Sequence, residues 1–146
     1  MAEKHSAHQT QWAAQFAVAS ELCKRGYQVA FTMGNHPIVD LMVVSPKGTK
    51  FAIDVKGLYK RNFWVVKPKA ETADLYYVLA FVPEGASNRF FVLTQAEVNL
   101  EVPRHLKQIA ENRTAKGLSI DKVGVMPGLS WAFAEGFENK WERLPN

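Results

Sequence analysis

The sequence has little cysteine, no long apolar run and no large excess of charge. Its single cysteine, Cys23, excludes an internal disulfide and is typical of a reducing compartment. No apolar stretch reaches the roughly 20 residues that a membrane-spanning helix needs, and residues 1–10 lack the hydrophobic core of a secretory signal. These absences predict a cytoplasmic protein without a membrane contact.

The chain contains enough apolar material for one folded domain. Hydrophobic residues make up 47% of its 146 residues, which argues against a disordered chain. This length suits a single domain with a sizeable core, so we expect one domain over residues 1–146. The formal charge of +4 permits a polyanionic partner but does not require one.

The most informative stretch is 38–56, which reads IVDLMVVSPKGTKFAIDVK. Apolar residues alternate with other residues on both sides of a Pro-Lys-Gly turn, and this period of two is typical of strands with one face in a core. The alternating apolar positions are Val39, Leu41, Val43, Phe51, Ile53 and Val55. The pattern predicts a β-hairpin.

The turn of this hairpin determines its register. A three-residue loop commonly ends with a residue in the left-handed conformation, and Gly48 supplies it. Pairing Ser45 with Thr49 then places Asp40 directly opposite Asp54, with both side chains on one face. A loop of two or four residues would place the two aspartates on opposite faces.

Two facing carboxylates need a compensating cation. At about 5 Å and an effective dielectric constant near 20, they repel each other by roughly 3 kcal/mol. Lys56 follows Asp54 on the same face and is one candidate. The other is Mg²⁺, which takes one or two carboxylates from a protein and keeps water and phosphate as further ligands. The alternative interpretation is a solvent-facing polar sheet face on which two aspartates lie close by chance.

The segments before and after the hairpin predict helices and further strands. Residues 6–25 read as a helix that begins with a capping box formed by Ser6 and Gln9. Short strands are expected at 27–32 and 63–67. The apolar run 75–82 is typical of a central buried strand.

The C-terminal half predicts one more strand and two short helices. Residues 89–93 should pair with the preceding strand. A capping box of Thr94 and Glu97 opens a helix that we expect Pro103 to interrupt, with a second helix through about residue 116. The aromatic segment after residue 130 is expected to pack onto the sheet or onto a second subunit.

Basic and aromatic residues alternate after the hairpin. Cations neutralise phosphates and aromatic rings stack on bases, so this pattern indicates a nucleic-acid contact. The basic candidates are Lys60, Arg61, Lys67 and Lys69, together with His36 in the loop before the hairpin. The aromatic residues among them are Tyr59, Phe63 and Trp64. An ordinary lysine-rich surface over core aromatics is the alternative.

The order helix, strand, strand with Asp40, strand with Asp54-Val55-Lys56 resembles the PD-(D/E)xK nuclease superfamily. The likeness is to its restriction-endonuclease-like and Holliday-junction-resolvase-like members, and residues 15–56 carry nearly all of it. A valine precedes Asp40 where the family has its name-giving proline. Gln15 occupies the place where the opening helix often carries a glutamate, and Glu21 lies one to two turns further on.

This resemblance implies a metal-dependent DNA endonuclease. Asp40, Asp54 and the carbonyl of Val55 would hold Mg²⁺, with Mn²⁺ able to substitute. Lys56 would orient the attacking water or favour its deprotonation, and the family pattern leaves open whether Gln15 or Glu21 positions a hydrated metal.

The resemblance also implies an α/β (α+β) fold, with a central mixed β-sheet flanked by helices. DNA is expected as the partner through the resemblance alone, and RNA stays open. A homodimer or tetramer would let two active sites act on two strands. The alternatives are a catalytically inactive nucleic-acid-binding module of the same fold and a protein-interaction module.

Overall fold

A five-stranded mixed sheet lies at the centre of the computed structural model, which describes residues 5–33 and 39–146. Its strands, in spatial order, are β1 (Gln28–Phe31), β2 (Leu41–Val44), β3 (Lys50–Leu58), β5 (Leu75–Phe81) and β6 (Arg89–Thr94). Neighbouring strands are antiparallel except for β3 and β5, which are parallel. The predicted fold class, a mixed sheet flanked by helices, is confirmed.

Two long helices cover opposite faces of this sheet. Helix α1 (Ala7–Lys24) begins with the predicted capping box of Ser6 and Gln9 and buries Val18 and Leu22 against the β3 residues Ile53 and Val55. Helix α2 (Gln95–Ala115) packs on the other face. Within the described parts of the chain, neither of these helices nor any other is long and apolar enough to cross a membrane.

The predicted break at Pro103 is wrong, because α2 runs through it without interruption. The helix begins at the expected residue, with the Thr94 hydroxyl accepting a hydrogen bond of 3.2 Å from the amide of Glu97, but the Glu97 carboxylate pairs with Arg143, so only the Thr94 half of the predicted capping box is confirmed. Val98 and Val102 are fully buried in the turns before Pro103, which is itself exposed. Packing of these turns against the sheet outweighs the local preference of proline to end a helix.

The segment predicted as a strand at 63–67 is short and lies outside the main sheet. Strand β4 (Trp64–Val65) pairs with β7 (Gly128–Leu129), in a separate two-stranded ladder. The aromatic segment that follows forms α3 (Trp131–Ala134) and two single 3₁₀ turns. Trp141 is 6% exposed and lies in the apolar cluster on the α1 face, which confirms that this segment packs onto the sheet.

Candidate metal centre

The hairpin of β2 and β3 has the predicted register. Leu41 pairs with Ile53, and the register continues to the turn, where the Ser45 amide donates to the Thr49 carbonyl at 2.8 Å. Gly48 has a φ of +92°, the left-handed conformation that the three-residue loop requires. The turn therefore positions β3 relative to β2 as the sequence predicts.

The ladder changes at the other end of β2, where Asp40 lies outside the strand. Its amide donates to the carbonyl of Ile53 at 3.0 Å, although Ile53 already pairs with Leu41. Val39 packs in the cluster on the α2 face, whereas Leu41 packs in the cluster on the α1 face. The prediction that Val39 continues the Leu41 face is therefore wrong, and Asp40 is not a ladder partner of Asp54.

The carboxylate of Asp40 takes the place of a strand carbonyl beside β3. Its Oδ2 accepts a hydrogen bond of 2.8 Å from the amide of Val55. Two glutamines of α1 also donate to this carboxylate, Gln11 to Oδ2 at 3.5 Å and Gln15 to Oδ1 at 3.4 Å. Gln11 Nε2 donates at 2.7 Å to the Val55 carbonyl as well, so side chains satisfy both backbone groups of Val55.

Gly57 explains why α1 comes close enough for these contacts. A Cβ at this position would lie 2.6 Å from the Cβ of Ala14 and 3.1 Å from the carbonyl oxygen of Thr10. Only glycine therefore allows this approach of α1 to β3. Gln11 and Gln15 are four residues apart, so they lie on one face of the helix and both reach the end of the hairpin.

The surroundings of Asp54 differ from those of Asp40, although Asp54 directly precedes Val55, the residue that Asp40 contacts. Asp54 is 2% exposed, a much smaller exposed fraction than an aspartate of a solvent-facing pair would have. Two ammonium groups cover it, with Lys56 Nζ 3.1 Å from Oδ1 and Lys69 Nζ 2.5 Å from Oδ2. The lysine side chains are about a third exposed, so the group is reachable from solvent through them.

One oxygen of Asp54 is incompletely satisfied. Its Oδ1 is buried and, among the described residues, has no partner with hydrogen-bond geometry, because the Lys56 contact is an ion pair by distance only. Tyr77 is the neighbour of Asp54 on β5, and its buried hydroxyl also lacks a partner there. Burial, together with the Asp54 charge, raises the pKa of Tyr77 to about 12.

Asp40 and Asp54 influence each other electrostatically. Burial raises the pKa of Asp40 above its ordinary value, while the hydrogen bond from the Val55 amide opposes the shift. The negative charge of Asp54 raises the Asp40 pKa further, and Lys56 and Lys69 lower it. The two carboxylates therefore belong to one charged group, even though the strands do not pair them directly.

The structure does not bring Glu21 to this group. Glu21 lies six residues beyond Gln15 on α1, where its carboxylate pairs with Lys24 at 3.5 Å and with Arg25 at 3.7 Å. Of the two helix residues that the resemblance left open, only Gln15 contacts Asp40. The helix therefore presents neutral amides to the hairpin, and Glu21 is corrected to a residue of the α1 surface.

The predicted nucleic-acid contacts fall into different environments. Lys69 is paired with Asp54 instead of lying on an open surface, and Arg61 lies 4.2 Å over the Trp131 ring and pairs with Glu135. Lys60 and Lys67 are exposed. His36 lies outside the described residues. Among the aromatic candidates, Trp64 is buried at 1% and cannot stack on a base.

Sequence reasoning missed Gln11, which makes the shortest contact from α1 to the hairpin. The signal was its spacing. A helix face that carries Gln15 toward Asp40 also carries the residue one turn earlier, four positions before it. The close approach at Gly57 could not be read from spacing, because it depends on how α1 and β3 pack.

The oxygen atoms gathered here fit Mg²⁺ in kind. They are the carboxylates of Asp40 and Asp54 and the carbonyl of Val55, hard oxygen donors of the type that Mg²⁺ takes while keeping several waters. Asp54 Oδ1, which is buried and receives no hydrogen bond from the described residues, is one of the atoms that a cation would complete. Across the described ranges no group of three or more His, Cys, Asp or Glu side chains is placed to bind a metal, so the set depends on two carboxylates.

Comparison of the chain with family models, with curated proteins and with solved structures gives no match. The PD-(D/E)xK hypothesis therefore depends on the residues themselves. These are Asp40, the Asp54-Val55-Lys56 tripeptide and the helix that lies against them.

Proposed function

We propose that the chain is a metal-dependent endonuclease that hydrolyses phosphodiester bonds of DNA. The observation that supports this most is that Asp40 accepts a hydrogen bond from Val55, the residue that lies between Asp54 and Lys56, while Lys56 Nζ lies 3.1 Å from Asp54 and the Asp54 charge acts on Asp40. An arrangement of two acids, a backbone carbonyl and an ammonium group contains the parts needed to hold a phosphate and activate a water beside it.

Asp40, Asp54 Oδ1 and the Val55 carbonyl are the atoms proposed to hold Mg²⁺, for which Mn²⁺ can substitute. When bound, the cation supplies Lewis-acid stabilisation of the charge that develops on the phosphate. The Gln11 amide donates to the Val55 carbonyl in this structure and uses one of the two lone pairs of that oxygen, which leaves the other for a cation.

Lys56 is proposed to orient the attacking water and to stabilise the hydroxide as it forms. Its ammonium is held by Asp54, and about a third of its side chain is exposed, so it can contact a phosphate or a water. Lys69 holds the other oxygen of Asp54 at 2.5 Å and fixes the orientation of that carboxylate. Gln11 and Gln15 fix Asp40 in the same way from α1.

The charges of this group favour an anionic ligand once a cation is present. The carboxylates of Asp40 and Asp54 cancel the ammonium groups of Lys56 and Lys69. A bound divalent cation therefore leaves the group with net positive charge, which attracts a phosphate backbone.

The test is Mg²⁺-dependent cleavage of DNA by the wild type, Asp54→Asn and Lys56→Met. We expect each variant to lose activity by about 100-fold or more, the usual effect of removing one electrostatic catalytic group. Lys50→Met is the matched control, because Lys50 is an exposed lysine at the other end of β3, and it should retain activity within about twofold. Full activity in either variant would refute the assignment.

The substrate and the assembly are tested in the same preparation. Supplying duplex DNA, branched DNA and RNA to the wild type separates the nucleic-acid classes, and DNA is the expected one. Light scattering should give a mass of at least two chains on DNA, since two strands require two sites. A strict monomer on DNA counts against the dimeric or tetrameric form.

One observation favours a second candidate, a metal-free nucleic-acid-binding module of the same fold. Lys56 and Lys69 already neutralise Asp54, and α1 presents Gln11 and Gln15 where a further carboxylate would strengthen a metal site. This candidate predicts DNA affinity that is equal with EDTA and with Mg²⁺, and no cleavage under either condition.

A further inference from the structure

A cleft of about 500 Å³ begins where the candidate metal centre ends. Residues of the first turns of α1 form one wall, and residues from the segment 56–65 form the other. Gln11 and Lys56 belong both to this wall and to the acidic group. A phosphate held beside Lys56 would therefore have the rest of its nucleotide at the mouth of the cleft.

The walls of the cleft suit a flat heteroaromatic ring. Tyr59 and Phe63 contribute aromatic rings, while Lys56, Lys60 and Asn62 supply polar groups. The cleft lies within the 300–1,000 Å³ that is usual for small-molecule sites. It is thus large enough for a nucleobase with its sugar.

The contact between His5 and Tyr59 shows that a flat heteroaromatic ring can stack on the Tyr59 ring. The imidazole lies nearly parallel to this ring, with the centroids 4.8 Å apart and the planes at 28°. On its outer side the imidazole faces the exposed carboxylate of Glu84 at 3.7 Å. A stack at this spacing is the geometry in which aromatic side chains hold bases in single-stranded nucleic acids.

The floor of the cleft has an unused hydrogen-bonding group. Thr10 is 8% exposed, and its buried hydroxyl has no hydrogen-bond partner among the residues that the structure describes. A hydroxyl can both donate and accept, so it could pair with either kind of polar group on a base, but it is closed off in this structure and the Thr10 side chain would have to rotate first. Buried polar groups are usually paired, and the missing partner points to a ligand.

We propose that the cleft receives an unpaired nucleobase next to the phosphate at the metal centre, stacked on Tyr59 beside or in place of His5. This rests on the proposed function, because it names the substrate class of the same site. A base inside a duplex is stacked on both sides and paired, so it reaches a cleft only if it is already unpaired or is flipped out. The preferred substrate therefore carries single-stranded nucleotides at the cut.

The experiment measures oligonucleotide binding in EDTA, so that it does not depend on metal or on cleavage. Fluorescence anisotropy is recorded for a single strand, for the same strand with one abasic position moved along it, and for the duplex. Tyr59→Ala should weaken single-strand binding by about 10-fold, within the range of one base–aromatic stack, and leave duplex binding within about twofold. Tyr59→Phe keeps the ring and should bind as the wild type does.

Two controls separate stacking from damage to the fold. Phe16→Ala removes an aromatic ring that is 58% exposed and is not part of the cleft lining, and it should leave single-strand binding unchanged. In the wild type, one abasic position should lower single-strand affinity as much as Tyr59→Ala does. The Tyr59→Ala variant itself should bind this abasic strand as tightly as it binds the intact strand.

The outcomes distinguish the two proposals. Equal weakening of single-strand and duplex binding in Tyr59→Ala, or no sensitive abasic position in the wild type, overturns the base-binding cleft whether or not the protein cleaves DNA. Binding that depends on Tyr59 and on one base, in a wild type that cleaves no DNA with Mg²⁺, supports the cleft and contradicts the endonuclease.

Discussion

The two aspartates at the end of the hairpin are chemically identical side chains in opposite surroundings. Asp40 lies where β2 leaves the ladder and is held by the Val55 amide and by the neutral amides of Gln11 and Gln15. Asp54 lies within a regular strand, is 2% exposed and is held by two ammonium groups.

This difference shows how one group can compensate the charges of its two carboxylates unequally. Two ammonium groups contact Asp54 directly, whereas the hydrogen-bond partners of Asp40 are neutral donors, and burial raises the Asp40 pKa. A carboxylate whose charge is incompletely compensated gains the most from an added cation. Asp40 is therefore the member of the pair that should respond most to Mg²⁺.

The largest expected effect on stability is that of Asp54→Asn. It removes the buried carboxylate that Lys56 and Lys69 contact, and we expect the free energy of unfolding to fall by about 3 kcal/mol, at the lower end for a broken buried pair because the lysines are partly exposed. Urea denaturation measures this. Asp74→Asn is the matched control, since Asp74 is exposed and its positive φ suits asparagine; equal stability of the two variants would show that the ion pairs contribute little.

A smaller loss of stability is expected for Gly57→Ala. This variant tests whether the close packing of α1 on β3 holds the Gln11 and Gln15 amides at Asp40. The added Cβ would lie 2.6 Å from that of Ala14, so α1 must shift, at a cost of about 2 kcal/mol for overpacking. The shift would also separate Gln11 from the Val55 carbonyl. Adding Ala14→Gly should recover part of the stability, although a glycine within the helix itself costs about 1 kcal/mol. No recovery would contradict the argument that α1 and β3 approach closely at Gly57.

The smallest effect, and one of opposite sign, is expected for Asp40→Asn without metal. Because the Asp40 pKa is raised in the folded state, the folded chain keeps this proton to a higher pH than the unfolded chain does. Asp40 therefore makes stability fall as pH rises above the ordinary aspartate value of 3.8. The asparagine variant lacks this fall and should be slightly more stable at neutral pH.

Urea denaturation in EDTA at several pH values measures the difference between wild type and Asp40→Asn. The difference should grow as pH rises from 3.8 and then become constant. A variant that is less stable than the wild type at neutral pH would mean that the hydrogen bonds of Asp40 outweigh the cost of burying its charge.

The sequence predicted the parts of the site that depend on local pattern. The turn at Gly48 set the register of Leu41 with Ile53, and the continuous apolar run predicted β5 as a central buried strand. The tripeptide at Asp54 placed Lys56 on the same face, where it pairs with that carboxylate. Alternation and turn chemistry suffice for these features because each is decided by residues close in sequence.

The parts that the sequence did not predict depend on distant contacts. The apolar alternation breaks at Asp40, and only the different packing of Val39 and Leu41 reveals it. Gln11 reaches Val55 because α1 packs closely at Gly57, and α2 continues through Pro103 because its earlier turns are buried. Local preference is overridden in each case by packing between elements that are far apart in the chain.

The most direct measurement is a calorimetric titration of Mg²⁺ into the wild type, Asp40→Asn and Asp54→Asn, with Asp74→Asn as the control. Two carboxylates that bind one cation together predict one Mg²⁺ per chain in the wild type and in the control, and loss of binding in both site variants. Absence of binding in the wild type, or binding that survives in either site variant, would contradict the shared metal centre.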